Sequence, residues 1–433
     1  MTTVPDPGNP TPQPTAAMAR GPRQIVAASI GNLAEWYDWY IYSFLTAFFA
    51  PQIFPGHDRL AQTLSSFAVF AVGFFLRPIG GLVVGALADR WGRRNTLTLT
   101  ILAMGAASLI IAITPTYASV GILSPIILVF ARLLSGLSIG GEFAANTTFL
   151  VESAPPGRRG FYSSFQYVST TIGQLIASGL ATVLTATLSD TAMSSWGWRI
   201  GFVVGALIAL VGLWIRRSAV ETRETSTGPR PGLFEAILRF PKASLLIMGV
   251  TIAGTITYYS WTTYLPTYAT QNSSAIDDSS ALLITTISLA FFGCLQPIAG
   301  AVSDRVGRKP MLIVFAAVFA VGIVPALALI RSGPSFGAFL AISLLGMVVL
   351  SGFTSISAAV NAELIPGHVR AAGIGFPYSL TVALFGGTAP FVGTWMADAG
   401  RPELFGWWVA LLCAVSLVVY LIISETAHKP LPE

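Results

Sequence analysis

The sequence predicts an all-α membrane protein with twelve transmembrane helices in two six-helix bundles. Three observations carry this reading. Of 433 residues, 54% are hydrophobic and only 10% charged, with a mean hydropathy of +0.71, whereas soluble domains carry about 25% charged residues. The apolar residues fall in continuous runs of roughly 20 to 30, long enough for helices to cross a ~30 Å hydrocarbon core and without the alternation of barrel strands. One turn also occurs twice. Gly85, Asp89, Arg90, Gly92, Arg93 and Arg94 return as Gly300, Asp304, Arg305, Gly307, Arg308 and Lys309, at an offset of 215 residues from Asp89 to Asp304. A short acidic-then-basic turn between two apolar runs, once per half, marks a duplicated membrane protein.

Hydropathy sets the spans in order. The first six lie near 24–50, 62–88, 95–113, 120–152, 160–187 and 199–216. The second six lie near 244–270, 279–303, 310–330, 336–364, 371–396 and 405–424. Residues 1–23 are rich in Pro, Thr and small side chains and read as a disordered tail, without the apolar core of a signal peptide. The N-terminal bundle is assigned to 24–217, a polar linker to 218–243, the C-terminal bundle to 244–425 and a short tail to 426–433. A second repeat supports the duplication: Glu152, Pro155 and Arg159 end the fourth span, as Glu363, Pro366 and Arg370 end the tenth, at an offset of 211 residues.

Charge gives the orientation. Eighteen of the 24 Lys and Arg fall in turns on one side, so both termini are expected in the cytoplasm of a multi-pass inner-membrane protein. The net charge of +5 is explained this way without nucleic acid. Cys294 and Cys413 sit inside apolar runs and read as structural, with no disulfide or metal spacing. No metal cluster, phosphate loop or nucleophile triad appears, so neither an enzyme nor a cofactor is expected. The chain is read as a monomer in the lipid bilayer.

Ionisable groups inside spans are costly and become functional candidates. Glu35 and Asp38 share a face of the first span with Gly31 and Tyr42. Two carboxylates on one face repel each other and desolvation favours the neutral form, so the pair suits proton uptake. A permanent ion pair is the alternative reading. Arg132, in the fourth span on a stripe with Gly136 and Gly140, is the natural partner. Arg77 lies deep in the second span, where a guanidinium can clamp a carboxylate or serve a structural role. Arg199 follows Trp196 and Trp198 at the outer end of the sixth span, where an arginine can simply snorkel to headgroups. Glu142 is read as a polar lock to the fifth span. Gln166, Thr170 and Gln174 form a polar stripe on the fifth span beside Tyr167. Tyr258, Tyr259, Trp261, Thr263 and Tyr264 of the seventh span are the opposing candidates. Asp89, Arg93, Glu152, Asp304, Arg308 and Glu363 fit cytoplasmic gate pairs between the halves.

These features together resemble the major facilitator superfamily. The repeated turn is its signature between spans two and three, and eight and nine. The stretches around Gly31, Asn32, Glu35, Trp36 and Asp38, then Phe75–Gly81, then Trp196–Ile200, are similar to its metabolite:proton symporter family. Within that family, Gly160–Val168, Gly173–Leu175 and Thr262–Tyr264 are similar to carriers of alpha-ketoglutarate.

The resemblance implies a proton-coupled symporter importing a small organic acid by alternating access, a dicarboxylate such as alpha-ketoglutarate. The alternative on the same scaffold is a carrier of a zwitterionic osmolyte, shikimate or an aromatic acid. The resemblance also implies that protonation of Asp38 releases Arg132. It further implies an essential role for Arg199, at a second carboxylate or an outer gate. Substrate contact is expected from Arg77, Arg199, Gln166, Tyr167, Thr170, Gln174, Tyr259 and Tyr264, and proton coupling from Asp38, Glu35 and Arg132.

Overall fold

The computed structural model describes residues 22–56, 58–81, 83–84, 93–138, 142–152, 154–217 and 239–432. Long helices account for nearly all of them. In chain order they are α1 (Pro22–Ile53), α2 (Arg59–Gly81), α3 (Arg93–Ile113), α4 (Leu123–Ser138 and Glu142–Glu152), α5 (Arg159–Thr187) and α6 (Asp190–Trp214). The second set is α7 (Pro241–Asn272), α8 (Asp278–Val306), α9 (Arg308–Arg331), α10 (Phe336–Glu363), α11 (Arg370–Thr381, continuing to Ala389–Asp398) and α12 (Glu403–Ile422). Among the described residues, nine are long and apolar enough to cross a membrane, and α3 and α4 add the shorter apolar stretches Thr98–Ile113 and Leu123–Ser138.

Local chemistry fixes several starts. Asp58 accepts the Leu60 N–H ahead of α2, Asp277 the Ser280 N–H ahead of α8, and Ser335 the Ala338 N–H ahead of α10. Each satisfies a donor that a helix leaves free at its first turn. The expected sixth span opens earlier than hydropathy suggests, through the short helix Asp190–Ala192 capped by Ser189.

Three helices contain a wide π turn: Met193–Gly197 in α6, Ser260–Tyr264 in α7 and Val382–Gly387 in α11. In α7 and α11 a proline follows at once, Pro266 and Pro390. Proline has no N–H to donate four residues back, so the preceding turn loses a bond and widens.

Within the N-terminal half, α1 lies against α5 and α6, and α3 against α6 and α4. In the C-terminal half, α7 and α9 lie against α12, and α8 against α10. The halves meet along two seams, α5 with α8 and α2 with α11. The most apolar stretch of α7 is 72% buried and that of α9 only 33%, which puts α7 in the centre and α9 at the rim. Rim side chains such as Trp214, Val321 and Ile422 are largely exposed. An apolar rim around a polar interior suits lipid as solvent.

The start of α1, the start of α5 and the stretch that follows α12 lie on one face, here called the terminal face. The α5–α8 seam is tightest there. A Cβ on Gly160 would stand 2.6 Å from the Gly300 carbonyl oxygen, and one on Gly300 would strike the Gly160 carbonyl in return. Only glycine permits this approach.

Candidate functional site

The first cluster is built on α1. Asp38 is buried and faces α3 and α4. Arg132 Nη1 donates to Asp38 Oδ2 at 2.9 Å and Nη2 to Oδ1 at 3.4 Å. Ser135 donates to Oδ2 at 3.3 Å, and Ser108 donates to Oδ1. Arg132 also lies over the Tyr42 ring at 4.5 Å. A buried ion pair of this kind persists only when its remaining lone pairs are met, and here two hydroxyls meet them. Ser135 follows Arg132 by three residues and so shares its face, which the sequence already carried. Ser108 is the single hydroxyl of the apolar run Ile101–Ile113 and gave no signal.

Glu35 and Asp38 do not meet a common partner. They part to two different arginines: Glu35 lies 3.9 Å from Arg77 Nη2. Spacing along one helix gives direction only, and the partners come from α2 and α4.

Arg77 is the centre of the second cluster. Its guanidinium sits over Phe74 at 4.0 Å, Trp39 at 4.8 Å and Trp36 at 5.1 Å. Nε and Nη2 are buried without a hydrogen-bond partner. Aromatic faces attract the cation but accept none of its in-plane donors. Beside it lies a cavity of about 30 Å³ lined by Asn32, Glu35, Trp36, Phe143 and Tyr378 among others. That is room for roughly one water.

Tyrosines surround this point from both halves. Tyr40 donates to the Tyr258 hydroxyl at 2.9 Å, and Tyr258 donates to Gln174 Oε1 at 3.1 Å. Tyr167 meets Tyr258 edge-on at 5.3 Å, and Tyr378 stacks flat on Phe143 at 3.8 Å. Tyr259 meets Phe74 edge-on at 5.3 Å, and its hydroxyl is buried without a partner, as is Gln166 Nε2. The expected Gln174, Tyr167 and Tyr259 are therefore brought together. Tyr40, Tyr378, Phe74 and Asn32 join them unforeseen.

Other expected contacts lie elsewhere. Thr170 spends its hydroxyl on the Gln166 carbonyl within α5. Tyr264 sits further toward the opposite face, edge-on to Phe67 at 6.0 Å and Phe405 at 5.2 Å. Arg199 donates to the carbonyls of Ser195 at 2.8 Å and Thr114 at 3.0 Å and covers the Trp198 ring at 4.1 Å. It ties α6 to the end of α3 and is not part of the central cluster. The side chain of Glu142 lies outside the described residues.

Access is asymmetric. On the face opposite the termini a vestibule of about 830 Å³ opens between the halves, lined by Arg59, Asp190, Asp277, Asp278 and many hydroxyl groups. At the α2–α11 seam, Gly386 and Gly387 of the π turn let Tyr259 and Phe74 approach closely. Across the mouth of the vestibule Arg59 of α2 faces Asp278 of α8 at 3.5 Å.

The terminal face is closed by charge. Asp304 accepts the backbone N–H groups of Gly160 and Phe161, both at 2.8 Å, and so caps α5 of the other half. Arg308 holds Asp304 at 2.9 Å and faces Glu363 at 3.6 Å. Arg159 reaches Glu363 at 3.5 Å from the N-terminal half, and Arg370 pairs with Glu152 in the reverse direction. Four expected gate residues, Glu152, Asp304, Arg308 and Glu363, are in this lattice. Asp89 and the side chain of Arg93 lie outside the described residues.

The chain after α12 completes the closure. Thr426 donates to Glu363 at 2.6 Å, the Lys429 carbonyl accepts Arg159, and the Pro432 carbonyl accepts Arg370 and the Gly367 N–H. Glu425 accepts the N–H groups of Arg308 and Lys309 and so caps α9. Burial pushes its carboxyl up, but hydrogen bonds from the backbone of Ala427, Arg308, Lys309 and Thr426 outweigh this and hold it below the ordinary range.

Comparison with known proteins agrees with this architecture. Residues 24–223 match the family model for sugar and other transporters, and residues 250–433 that of the Major Facilitator Superfamily. The chain is 39% identical to the alpha-ketoglutarate permease of Escherichia coli K12 over 403 residues, covering 93% of each protein. It is 32% identical to the citrate-proton symporter of Klebsiella pneumoniae, covering 92% of this chain and 91% of that one. It is 30% identical to the proline/betaine transporter of Salmonella typhimurium, covering 94% and 84%. In three dimensions it superposes on a D-xylose-proton symporter with a TM-score of 0.70 at 18% identity, covering 94% and 99%. With two half-chain family models and relatives of this similarity along nearly its whole length, the chain belongs to the major facilitator superfamily and is a multi-pass membrane transporter, not an enzyme.

Proposed function

We propose that this transporter is a proton-coupled symporter that imports a small organic acid, a dicarboxylate of the alpha-ketoglutarate type, by alternating access. The observation that carries the reading is Arg77: a buried cation between the halves with two donors unsatisfied. A carboxylate entering the central cavity would accept both donors in the bidentate geometry for which guanidinium is suited. Tyr259 and Gln166 bring further unsatisfied donors. The 39% identical relative is a permease of alpha-ketoglutarate, and another carries citrate with protons.

Asp38 is the proton carrier in this reading. An arginine does not give up its proton here, so Asp38 is the partner that titrates. Its protonation would free Arg132 and loosen α1 from α4. Glu35 would answer to substrate rather than to protons alone, since a bound carboxylate competes with it for Arg77.

The terminal face is read as cytoplasmic because the sequence assigns eighteen of 24 Lys and Arg to the tails, turns and linker of one side, with halves 24–217 and 244–425 joined by the linker 218–243. The vestibule then opens outward and the conformation is outward-facing with a contracted centre. Arg308, Glu363, Arg159, Glu152 and Arg370 would part when the halves rock.

One observation favours a second reading. Trp36, Tyr40, Tyr167, Tyr258, Tyr259 and Tyr378 crowd the centre, and such rings suit a quaternary ammonium. The 30% identical relative is a proline/betaine transporter. Uptake of labelled 2-oxoglutarate, citrate and betaine into proteoliposomes under an inward proton gradient separates the two. 2-Oxoglutarate uptake that collapses with a protonophore supports the first reading. Betaine uptake alone replaces it, and uptake indifferent to the gradient removes proton coupling.

A further inference from the structure

We infer that the recess at the α5–α8 seam on the terminal face binds the headgroup of an anionic phospholipid, with its phosphate held between Arg158 of one half and Arg305 of the other. The recess has a volume of about 290 Å³ and is lined by Gly157, Arg158, Phe161, Ala301, Asp304 and Arg305. A water occupies about 30 Å³, so the space equals roughly ten waters, enough for a phosphate with a glycerol beyond it.

The charges call for an anion. Arg159, Arg308 and Arg370 on this face are each matched to a carboxylate. Arg158 and Arg305 have no ion-pair partner among the described residues, and both are exposed. Asp304 lines the recess too, but its oxygens already accept the N–H groups of Gly160 and Phe161 and the Arg308 guanidinium. Two unmatched guanidiniums from opposite halves therefore flank one hollow, and their mutual repulsion is relieved by an anion between them.

The surroundings favour a lipid over a soluble phosphate. Phe161 meets Phe165 edge-on at 5.4 Å, and Phe165 is exposed. On α8, Ile298 and Val302 are exposed on the stripe that leads to Arg305. An apolar track thus descends from the recess along both helices, with the basic pair at its head, where helices end at the membrane surface. The arginines belong to different halves, and directly behind them Gly160 and Gly300 touch backbone to backbone. The complete site exists only while this seam is shut, so its ligand binds the closed terminal face.

The test uses the full-length protein in detergent and native mass spectrometry with phosphatidylglycerol against phosphatidylcholine; it needs no transport activity. Wild type should retain phosphatidylglycerol over phosphatidylcholine by roughly 30-fold, the order expected of two arginines at an anionic surface. Arg158→Gln/Arg305→Gln should fall to parity, and Arg158→Lys/Arg305→Lys should keep most of the preference. Arg331→Gln/Arg401→Gln, on the opposite face, should change nothing, which separates the site from net charge. Gly160→Val, which wedges the seam with both arginines present, should also lose the preference. A preference that survives the double glutamine variant or Gly160→Val overturns the proposal. Equal binding of both lipids to wild type overturns it as well, and so does displacement of phosphatidylglycerol by millimolar inorganic phosphate.

Discussion

Arg132 and Asp38 form a bidentate ion pair sealed from solvent, with Nη1 to Oδ2 at 2.9 Å and two serines completing the carboxylate. Removing either partner should have unequal effects. Arg132→Ala leaves a buried carboxylate unpaired and should cost about 3–5 kcal/mol of stability. Asp38→Asn keeps the shape and donates to its neighbours, so it should fold yet fail to accumulate substrate against a gradient. Thermal unfolding in detergent and proteoliposome uptake measure the two effects. Retained gradient-driven accumulation in Asp38→Asn would remove Asp38 from proton coupling.

Arg77 offers a sharper test of substrate chemistry. Arg77→Lys keeps the charge but loses the fork. A hydrogen bond to a charged group is worth about 1.5–3 kcal/mol, so affinity for a dicarboxylate should fall about 10- to 100-fold. Substrate-induced quenching of the nearby Trp36 and Trp39 would report binding directly. Unchanged affinity in Arg77→Lys would rule out bidentate recognition there.

The seam glycines predict a conformational shift. Added methyl groups in Gly160→Ala and Gly300→Ala would meet backbone carbonyls of the opposite half. Overpacking of this kind costs about 1–3 kcal/mol, and here the strain falls on one state only. A cysteine placed at the recess, for instance Ala301→Cys, should react faster with a bulky maleimide in either variant. Equal labelling would show that the seam tolerates a methyl group.

Glu425 predicts a pH dependence. Its carboxyl is held below the ordinary range when folded. The stability it contributes is therefore complete above the unfolded value of about 4.3 and is lost as pH falls through the lower folded value. Unfolding temperature should drop more steeply in wild type than in Glu425→Gln as pH is lowered from 6 to 3, roughly spanning that window. Parallel curves would mean that the four backbone donors matter less than their geometry suggests.

Much of this arrangement was legible in the sequence, and the limits have physical causes. Twelve spans and two related halves follow from apolar run length and one repeated turn. The pairing of Asp38 with Arg132 and the burial of Arg77 follow from the cost of charge in a span. Pairing across the halves did not follow. Arg159 and Arg370 read as orientation charges, because nothing local links them to Glu363 and Glu152 some 200 residues away. The separate partners of Glu35 and Asp38 did not follow either, because spacing on a helix says where side chains point and not what they meet. For Arg199 the sequence leaves headgroups, an outer gate or a second carboxylate open, and it does not reveal the two carbonyls that the guanidinium meets. The π turns of α7 and α11 are signalled by Pro266 and Pro390, which hydropathy ignores, and that of α6 has no such signal.

The contact of Gly160 with Gly300 also bears on leakage. A proton crosses a protein along a continuous file of water, and such a file needs a gap between surfaces. Where two backbones meet with no room for a methyl group there is none for water. While that face is shut, no file of water passes between these two backbones.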